Sequence, residues 1–347
     1  MDALIHHLEE LQDLGPREVA VAAELLLDNA VGDAHKARLL EALAHKGATP
    51  GEIAGFVEAF LGHAVDPQLG VIDLAGPTLD VCGTGGDQLD LFNVSTTAMF
   101  IAAAAGAVVV KHGNRGMTSK SGGADVLEAL GIRIDLSVTG FHRCLHQAGV
   151  GFMFAPLYHP AFKAVAGVRK TLAAKGVRTI FNLIGPLLNP AQPRCQLVGV
   201  FSRELCPVFA EILQRLGRER AWVVSGSTDD GRAVDEVSLM GPTRICKFGL
   251  YQDGADEEVQ PHDFGLQPVA VELLRGGDAA TNAAILEAIL AGRDRGPRRD
   301  LVLINAGAAL ACAGLASNMG EGIELALEII TSGAALERLR LLRKAAQ

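Results

Sequence analysis

The chain has 347 residues, of which 49% are hydrophobic and 20% charged, with a formal net charge of -9. That length buries a sizeable core and predicts about two domains; the acidic balance argues against general nucleic-acid affinity, which needs a basic face, but leaves room for a small basic pocket taking a phosphorylated metabolite. Forty glycines with only 5% aromatics favour an α/β protein with tight loops over a β-sandwich.

Residues 1–65 read as helix throughout. Apolar residues recur at helical spacing in Leu4, Ile5, Leu8 and Leu11, and again in Val19, Ala22, Leu25 and Leu26. The opening segment is acidic with no apolar stretch, so no secretory leader is expected. Pro16 follows Gly15 and suits a first helical position, while Thr49-Pro50-Gly51-Glu52 is a capping-box pattern. Gly32 and Gly47 punctuate the helices between.

From residue 66 the pattern changes to strand, loop, helix, repeated. Strands are predicted at 79–82, 107–110, 149–155, 196–201 and 221–225, and helices at 95–105, 123–130, 141–148 and 204–216. The tail from Asn282 is helical and Ala-rich. Alternation of this kind predicts a mainly parallel sheet covered by helices, with ligands at the carboxyl ends of the strands. Residues 276–278 and 292–299 read as surface connections, and the basic run 293–299 as a solvated loop. The apolar stretch 99–110 is shorter than the roughly 18–20 residues of a membrane span. Cys82, Cys144, Cys195, Cys206, Cys246 and Cys312 form no CxxC pair. They point to neither zinc nor a disulfide framework, and read as small buried residues in a reducing cytoplasm.

The strongest chemical signal is Asp80-Val-Cys-Gly83-Thr84-Gly85-Gly86-Asp87. Three glycines in four positions, directly after a strand, let backbone N–H groups approach an anion closely. The spacing fits neither a Walker loop nor the dinucleotide GxGxxG. Asn93-Val-Ser95-Thr96-Thr97 then opens a helix; Ser95 or Thr96 reads as its cap or as a phosphate contact at the helix N-terminus. Lys111-His112-Gly113-Asn114-Arg115 and Ser119-Lys-Ser121-Gly122-Gly123 add two polar loops within forty residues. Lys111 offers a point charge to a phosphate. Val234-Asp235-Glu236-Val237 reads by itself as a solvated turn, and beside a polyphosphate as a pair of Mg²⁺ ligands. Arg169 and Arg178 flank Lys175-Gly176, and one of them is suited to hold a carboxylated acceptor bidentately.

In order and context, GTGGD, FNVST, KHGNR, SKSGGADVLEALG, RTIFNLIGPLLNPA and VDEVS resemble the anthranilate phosphoribosyltransferases, within the class III nucleoside phosphorylase and phosphoribosyltransferase superfamily. The resemblance covers nearly the whole chain. It implies a small all-helical domain at 1–66, completed by helices from about 160–185, and a larger α/β domain at 67–159 and 186–347, with a homodimer formed through the helical part. It implies transfer of ribose phosphate from phosphoribosyl pyrophosphate (PRPP) to anthranilate in cytoplasmic tryptophan biosynthesis, with about two Mg²⁺ ions. Gly83, Thr84, Gly85, Gly86, Asp87, Asn93, Ser95, Thr96, Lys111, Ser119 and Gly123 are then expected to hold PRPP. Ser95, Asp235 and Glu236 are expected at the metal, and Gly83, His112, Asn114, His159, Arg169, Gly185 and Pro186 along the acceptor route. No single catalytic base is expected, because an aromatic amine is already neutral near pH 7 and the step needs leaving-group neutralisation and alignment.

Four departures stand against the family pattern. Gln88 replaces a small residue, Leu91 replaces a threonine, the segment from Arg169 to Arg178 is about three residues longer than usual, and Asp229-Asp230-Gly231-Arg232-Ala233 before Val234-Asp235 is unusual in form. The alternatives they leave are a transferase with another aromatic acceptor, a pyrimidine nucleoside phosphorylase and a non-catalytic nucleic-acid-binding relative. The Asp235-Glu236 pair argues against the second of these and the acidic charge against the third.

Overall fold

The computed structural model describes residues 1–87, 89–116, 120–249 and 254–347. The chain opens with four helices, α1 (Asp2–Glu9), α2 (Pro16–Leu27), α3 (Asp33–Lys46) and α4 (Pro50–Leu61). Local chemistry sets their ends. Pro16 occupies the first turn of α2, where a missing N–H costs nothing, and the Glu18 carboxylate accepts the Gly15 N–H at 2.8 Å. Gly47 stops α3 at φ +83°, a conformation costly for other residues. Thr49 and Glu52 close the expected capping box with hydrogen bonds of 3.2 and 2.7 Å.

Glu52 also ties the bundle together. Its carboxylate accepts from Leu14 N–H at 2.9 Å and from Lys46 Nζ at 2.7 Å, and both side chains are 3% exposed or less. Lys46 reaches Asp13 at 2.7 Å as well. Burial works against the Lys46 charge, but Asp13 and Glu52 together outweigh it and leave its pKa raised.

The rest of the chain alternates. In order come β1 (Thr78–Gly83), α5 (Val94–Ala104), β2 (Val108–Gly113), α6 (Gly123–Ala129), α7 (Val138–Ala148), β3 (Val150–Phe154), α8 (Ala155–Tyr158), α9 (Lys163–Ala174), β4 (Cys195–Gly199), α10 (Leu205–Arg215), β5 (Arg220–Ser227), β6 (Ala233–Val234), β7 (Thr243–Phe248) and β8 (Ala255–Val259). Helices α11 (Ala279–Leu290), α12 (Pro297–Ala313), α13 (Met319–Thr331) and α14 (Ala334–Ala345) complete the chain. The sheet order is β3-β2-β1-β4-β5-β7-β8, with β6 paired to β5. The five strands from β3 to β5 are parallel; β6, β7 and β8 pair antiparallel.

The antiparallel part went unrecognised in the sequence for a physical reason. Strand β8 carries Asp256, Glu257 and Glu258 in succession and shows no apolar alternation. Its acids pair with Arg244, Lys247 and Arg203, which charges the outer edge and discourages further strand pairing. Two smaller expectations shift. Strand β2 continues to Gly113, so Lys111 and His112 sit on a strand rather than a loop. Pro297 opens α12, so the end of the basic run is helical.

Along β4 and β5 side chains alternate between two cores, while Val108, Val110 and Met153 of β2 and β3 join a smaller third one with α7. Leu197, Trp222 and Val224 face the core built with α5, α11, α12, α13 and α14. Val198, Ala221 and Val223 face α10 and the N-terminal helices, and α9 shares that second core through Val165, Val168 and Leu172. The second core, shared with the N-terminal bundle, reaches Cys82 and Val198 near the carboxyl ends of β1 and β4.

Replacing Glu52 by Gln leaves the Lys46 charge buried with one partner lost. The unfolding free energy should fall by about 3–5 kcal/mol, as for other broken buried pairs. An unchanged urea midpoint would show that the Glu52 cluster does not tie the bundle.

Candidate active site

The parallel strands deliver their glycine-rich ends to one place. Strand β1 ends at Gly83, β2 at Gly113 and β4 at Gly199. Asp235, two residues past the start of β6, lies across the ends of β1 and β4. Its Oδ2 accepts from Gly85 N–H at 2.5 Å, with Thr84 Oγ1 at 3.5 Å, and Thr84 N–H donates to Gly199 O at 3.0 Å. The glycines are needed for this approach. A Cβ on Gly83 would fall 2.7 Å from Asp235 Oδ2, one on Gly199 1.6 Å from Asp235 O, and one on Gly86 2.6 Å from the Phe201 ring. Gly85 takes φ +69°.

The helix that follows completes this wall. Asn93 occupies the N-cap position of α5 with no side-chain capping bond, so Ser95 and Thr96 lie inside the first turn and are not its caps. Asn93 spends its side chain on neighbours instead, donating to Ser121 O at 3.3 Å and accepting from Asn282 Nδ2 at 2.9 Å. Lys111 is buried, with its Nζ 2.5 Å from Val81 O and 3.3 Å from Ser95 Oγ. Gly123 opens α6 where a Cβ would sit 3.2 Å from Thr96 Oγ1. Ser119, and the Gln88 departure, lie outside the described residues.

The acidic pair is not a solvated turn. Asp235 is 8% exposed, and burial, then the neighbouring Asp87 charge, push its carboxyl up to about 7. Glu236 is pushed well above the usual carboxylate range by burial, then by Asp235, with Lys111 pulling the other way. Asn305 on α12 clamps the next residue from behind, its amide exchanging two hydrogen bonds of 2.8 and 2.9 Å with the Val237 backbone. Crowded acids with one nearby lysine favour a divalent cation, and hard carboxylate and hydroxyl oxygens suit Mg²⁺. Among the described residues no three His, Cys, Asp or Glu side chains form a cation cage of their own. Such an ion would therefore take further ligands from phosphate oxygens and water, as Mg²⁺ commonly does.

Beside this loop lies a cavity of about 400 Å³. Its walls include Gly83, His112, Asn114, His159, Arg169, Gly185 and Pro186, so the residues predicted along the acceptor route come together around one space. Gly83 and Thr84 belong to both the loop and the cavity. The Arg169 guanidinium stacks 4.8 Å from the Phe181 ring centroid, has no carboxylate partner among the described residues, and is lowered in pKa by burial. Arg178 lies elsewhere, over Phe201 at 5.2 Å, and does not line the cavity. His112 and His159 meet edge to face at 5.1 Å. Burial, then His159, then Lys111, lower His112 to about 3, so it is neutral throughout the physiological range.

Sequence reading missed the apolar lining, Phe162, Phe181 and Ile184, and the charge of Lys163 at the same cavity. It also missed the supports Asn282 and Asn305, whose only signal is a polar residue buried in an Ala-rich helix. Of the described departures, Leu91 and residues 170–178 do not line the cavity. Its lining from α9 consists of Lys163, Ala166 and Arg169, while Lys175, further along the same segment, pairs with Glu41 on α3 at 3.3 Å. Leu91 bridges to Arg275 and packs on the main core.

Comparison with known proteins agrees with this geometry. Residues 2–64 match the helical bundle domain of a glycosyl transferase family, and residues 75–336 its a/b domain. The anthranilate phosphoribosyltransferase of Roseiflexus castenholzii is 46% identical over 330 residues, spanning 95% of this chain and 94% of that protein. The crystal structure of the Thermus thermophilus enzyme of that name superposes with a TM-score of 0.88 at 37% identity, covering 99% of both chains. The Saccharomyces cerevisiae enzyme in complex with PRPP and Mg gives 0.86 at 27% identity over 99% of this chain and 98% of that one. The same yeast enzyme has also been solved with 4-fluoroanthranilate.

Replacing Gly83 by Ala forces Asp235 away from the loop. Displacement of a site group by about 1 Å can cost roughly 10²-fold in rate. Turnover of Gly83→Ala should drop on that order while its circular dichroism stays native; near-normal turnover would separate the Asp235 contact from function.

Proposed function

The chain belongs to the anthranilate phosphoribosyltransferase family, and from that membership we infer that it joins the amine of anthranilate to C1 of PRPP with release of pyrophosphate, a step of tryptophan biosynthesis. The observation that carries this reading is the shared wall at Gly83 and Thr84, which puts an anion-binding backbone loop and an arginine-bearing acceptor cavity side by side.

The division of labour follows from the chemistry. As the C1–oxygen bond to pyrophosphate breaks, positive charge develops on the ribose and negative charge on the leaving group. The backbone of Gly83, Thr84, Gly85 and Gly86, with Asn93, Ser95, Thr96, Lys111 and Gly123, holds the phosphate-rich substrate. Lys111 is buried beside Ser95, so its charge acts with little screening by water. Ser95, Asp235 and Glu236, with Asp87 beside them, would hold the Mg²⁺ that accompanies PRPP. When bound, that ion neutralises leaving-group charge.

On the other side, Arg169 pairs with the acceptor carboxylate, a bidentate match for a guanidinium already held over the Phe181 ring. His112 and Asn114 offer hydrogen bonds near the amine, and His159, Gly185 and Pro186 shape the wall. Neutral His112 adds no repulsion toward developing positive charge at the ribose. The nucleophile is the neutral aromatic amine, whose lone pair forms the new bond, and no side chain is assigned as its base.

We further propose a homodimer formed through the helical bundle, where Leu11 and Val21 are 61% and 51% exposed. The six cysteines are free thiols, which suits a reducing cytoplasm. Among the described residues no helix is long and apolar enough to cross a membrane.

Loss of anthranilate fluorescence in the presence of PRPP and Mg²⁺, with each omitted in turn, tests the reaction directly. No loss despite calorimetric PRPP binding would sink the anthranilate assignment. Arg169→Ala should raise the anthranilate KM on the order of 10- to 100-fold, from about 1.5–3 kcal/mol for a charged hydrogen-bonding group, with PRPP binding retained. Lost PRPP binding with intact acceptor affinity would reverse the proposed halves of the site. Asp235→Asn combined with Glu236→Gln should raise the Mg²⁺ concentration for half-maximal turnover by about tenfold or more. An unchanged Mg²⁺ requirement would remove both carboxylates from the metal site.

A further inference from the structure

The wall of the acceptor cavity that carries Gly185, Pro186 and Leu188 is a single 3₁₀ turn with its flanks, too short to hold its own shape. Two fully buried amides grip it from behind. Resting on the transferase reading, we propose that Gln196 and Asn189 are positioning residues that fix this wall and thereby set acceptor affinity, each locked in one orientation by a buried charge, Arg218 for the first and Asp80 for the second.

Gln196 lies on β4. Its Nε2 donates to Pro186 O at 2.7 Å, and its Oε1 accepts from Arg218 Nε at 3.1 Å. The two ends of an amide differ little in shape, so packing alone does not choose between them. A guanidinium has donors only, so Arg218 selects the orientation that aims Nε2 at Pro186. Asn189 repeats the device on the other flank. Its Nδ2 donates to Asp80 Oδ2 and to Val110 O, both at 2.8 Å, and its Oδ1 accepts from Ala191 N–H at 2.9 Å. The carboxylate selects this orientation. The residue before it, Leu188, presents its carbonyl to His159 Nε2 at 2.8 Å, and His159 packs on His112 in the same cavity. The grip therefore extends from Pro186 to both histidines.

A core built only for stability has no need of these charges. Gln196 and Asn189 are 0% exposed, Asp80 1% and Arg218 6%. Among the described residues Asp80 Oδ1 and Arg218 Nη2 are buried without a hydrogen-bond partner. Burial raises the Asp80 carboxyl and lowers Arg218 to about 10, so both charges are held at a cost. Arg218 orders an amide that touches the wall at Pro186, and Asp80 orders one that anchors the residue directly after Leu188 to β1 and β2.

The test compares wild type with Gln196→Glu and Gln196→Met in the fluorescence assay, with full kinetics for both substrates. Gln196→Glu keeps the shape and the Arg218 partner, and replaces the Nε2 donor to Pro186 O and Cys82 Sγ by a carboxylate oxygen; Gln196→Met keeps volume and removes the bonds to Pro186, Cys82 and Arg218 alike. The anthranilate KM should rise at least fivefold in each variant with native circular dichroism, while the PRPP KM stays within twofold and kcat falls less than KM rises. Arg218→Lys, which retains a donor, should lie between wild type and Gln196→Met. Unchanged anthranilate KM in folded variants, or equal shifts for both substrates, would overturn the proposal with the transferase reading intact. A wild type that consumes no anthranilate would overturn both.

Discussion

The site depends on how closely the Asp235 segment can lie against the ends of β1 and β4. That approach exists because both strands end in glycine. A single methyl group at Gly199 would overlap the Asp235 carbonyl, and one at Gly83 would press on its carboxylate. The interaction joins distant parts of the chain. Asp235 bonds to Gly85, some 150 residues earlier, and the adjoining Val237 is held by Asn305 on α12. Strand order makes the link possible, since β1 and β4 are neighbours and β5 delivers the β6 turn beside them.

That closeness has an electrostatic consequence. Crowding Asp235 and Glu236 with Asp87 where water is partly excluded raises the first two well above the usual carboxylate range. The fold spends stability to hold acids where water cannot screen them. Such an arrangement is relieved by a cation, and the loop that makes it also exposes backbone N–H groups to anions. A substrate that brings its own polyphosphate and a divalent ion meets both demands at once.

The acceptor side follows different physics. Here the walls are largely apolar, a half-buried arginine has no acid partner among the described residues, and a neutral His112 packed on His159 replaces charge with shape. Two halves with opposite electrostatic character meet at Gly83 and Thr84, so an electron-rich amine can be held against a centre that becomes positive. The wall between is irregular backbone, and buried polar side chains rather than regular secondary structure hold it.

Local sequence determined a good deal. Helical spacing, the Thr49 capping box and Pro16 placed the first helices; short apolar runs followed by glycine placed the parallel strands and the phosphate loop. These signals act over a few residues, where backbone geometry and capping are decided. The residues expected along the acceptor route, His112, Asn114, His159, Arg169, Gly185 and Pro186, came from the family resemblance, and nothing local says that they share one cavity. Tertiary structure alone decided the rest. It turned an acidic pair that reads as a solvated turn into a buried Asp235 and a half-buried Glu236, because only strand order brings them to the glycines. It separated Arg169 from Arg178 by the side of α9 and its following turn on which each falls. It gave β8 a partner that its charged sequence does not advertise, and it made Asn189, Gln196 and Asn305 meaningful through contacts far away in the chain. A polar residue in an apolar run shows that something must satisfy it; what does so depends on which elements the fold sets beside it.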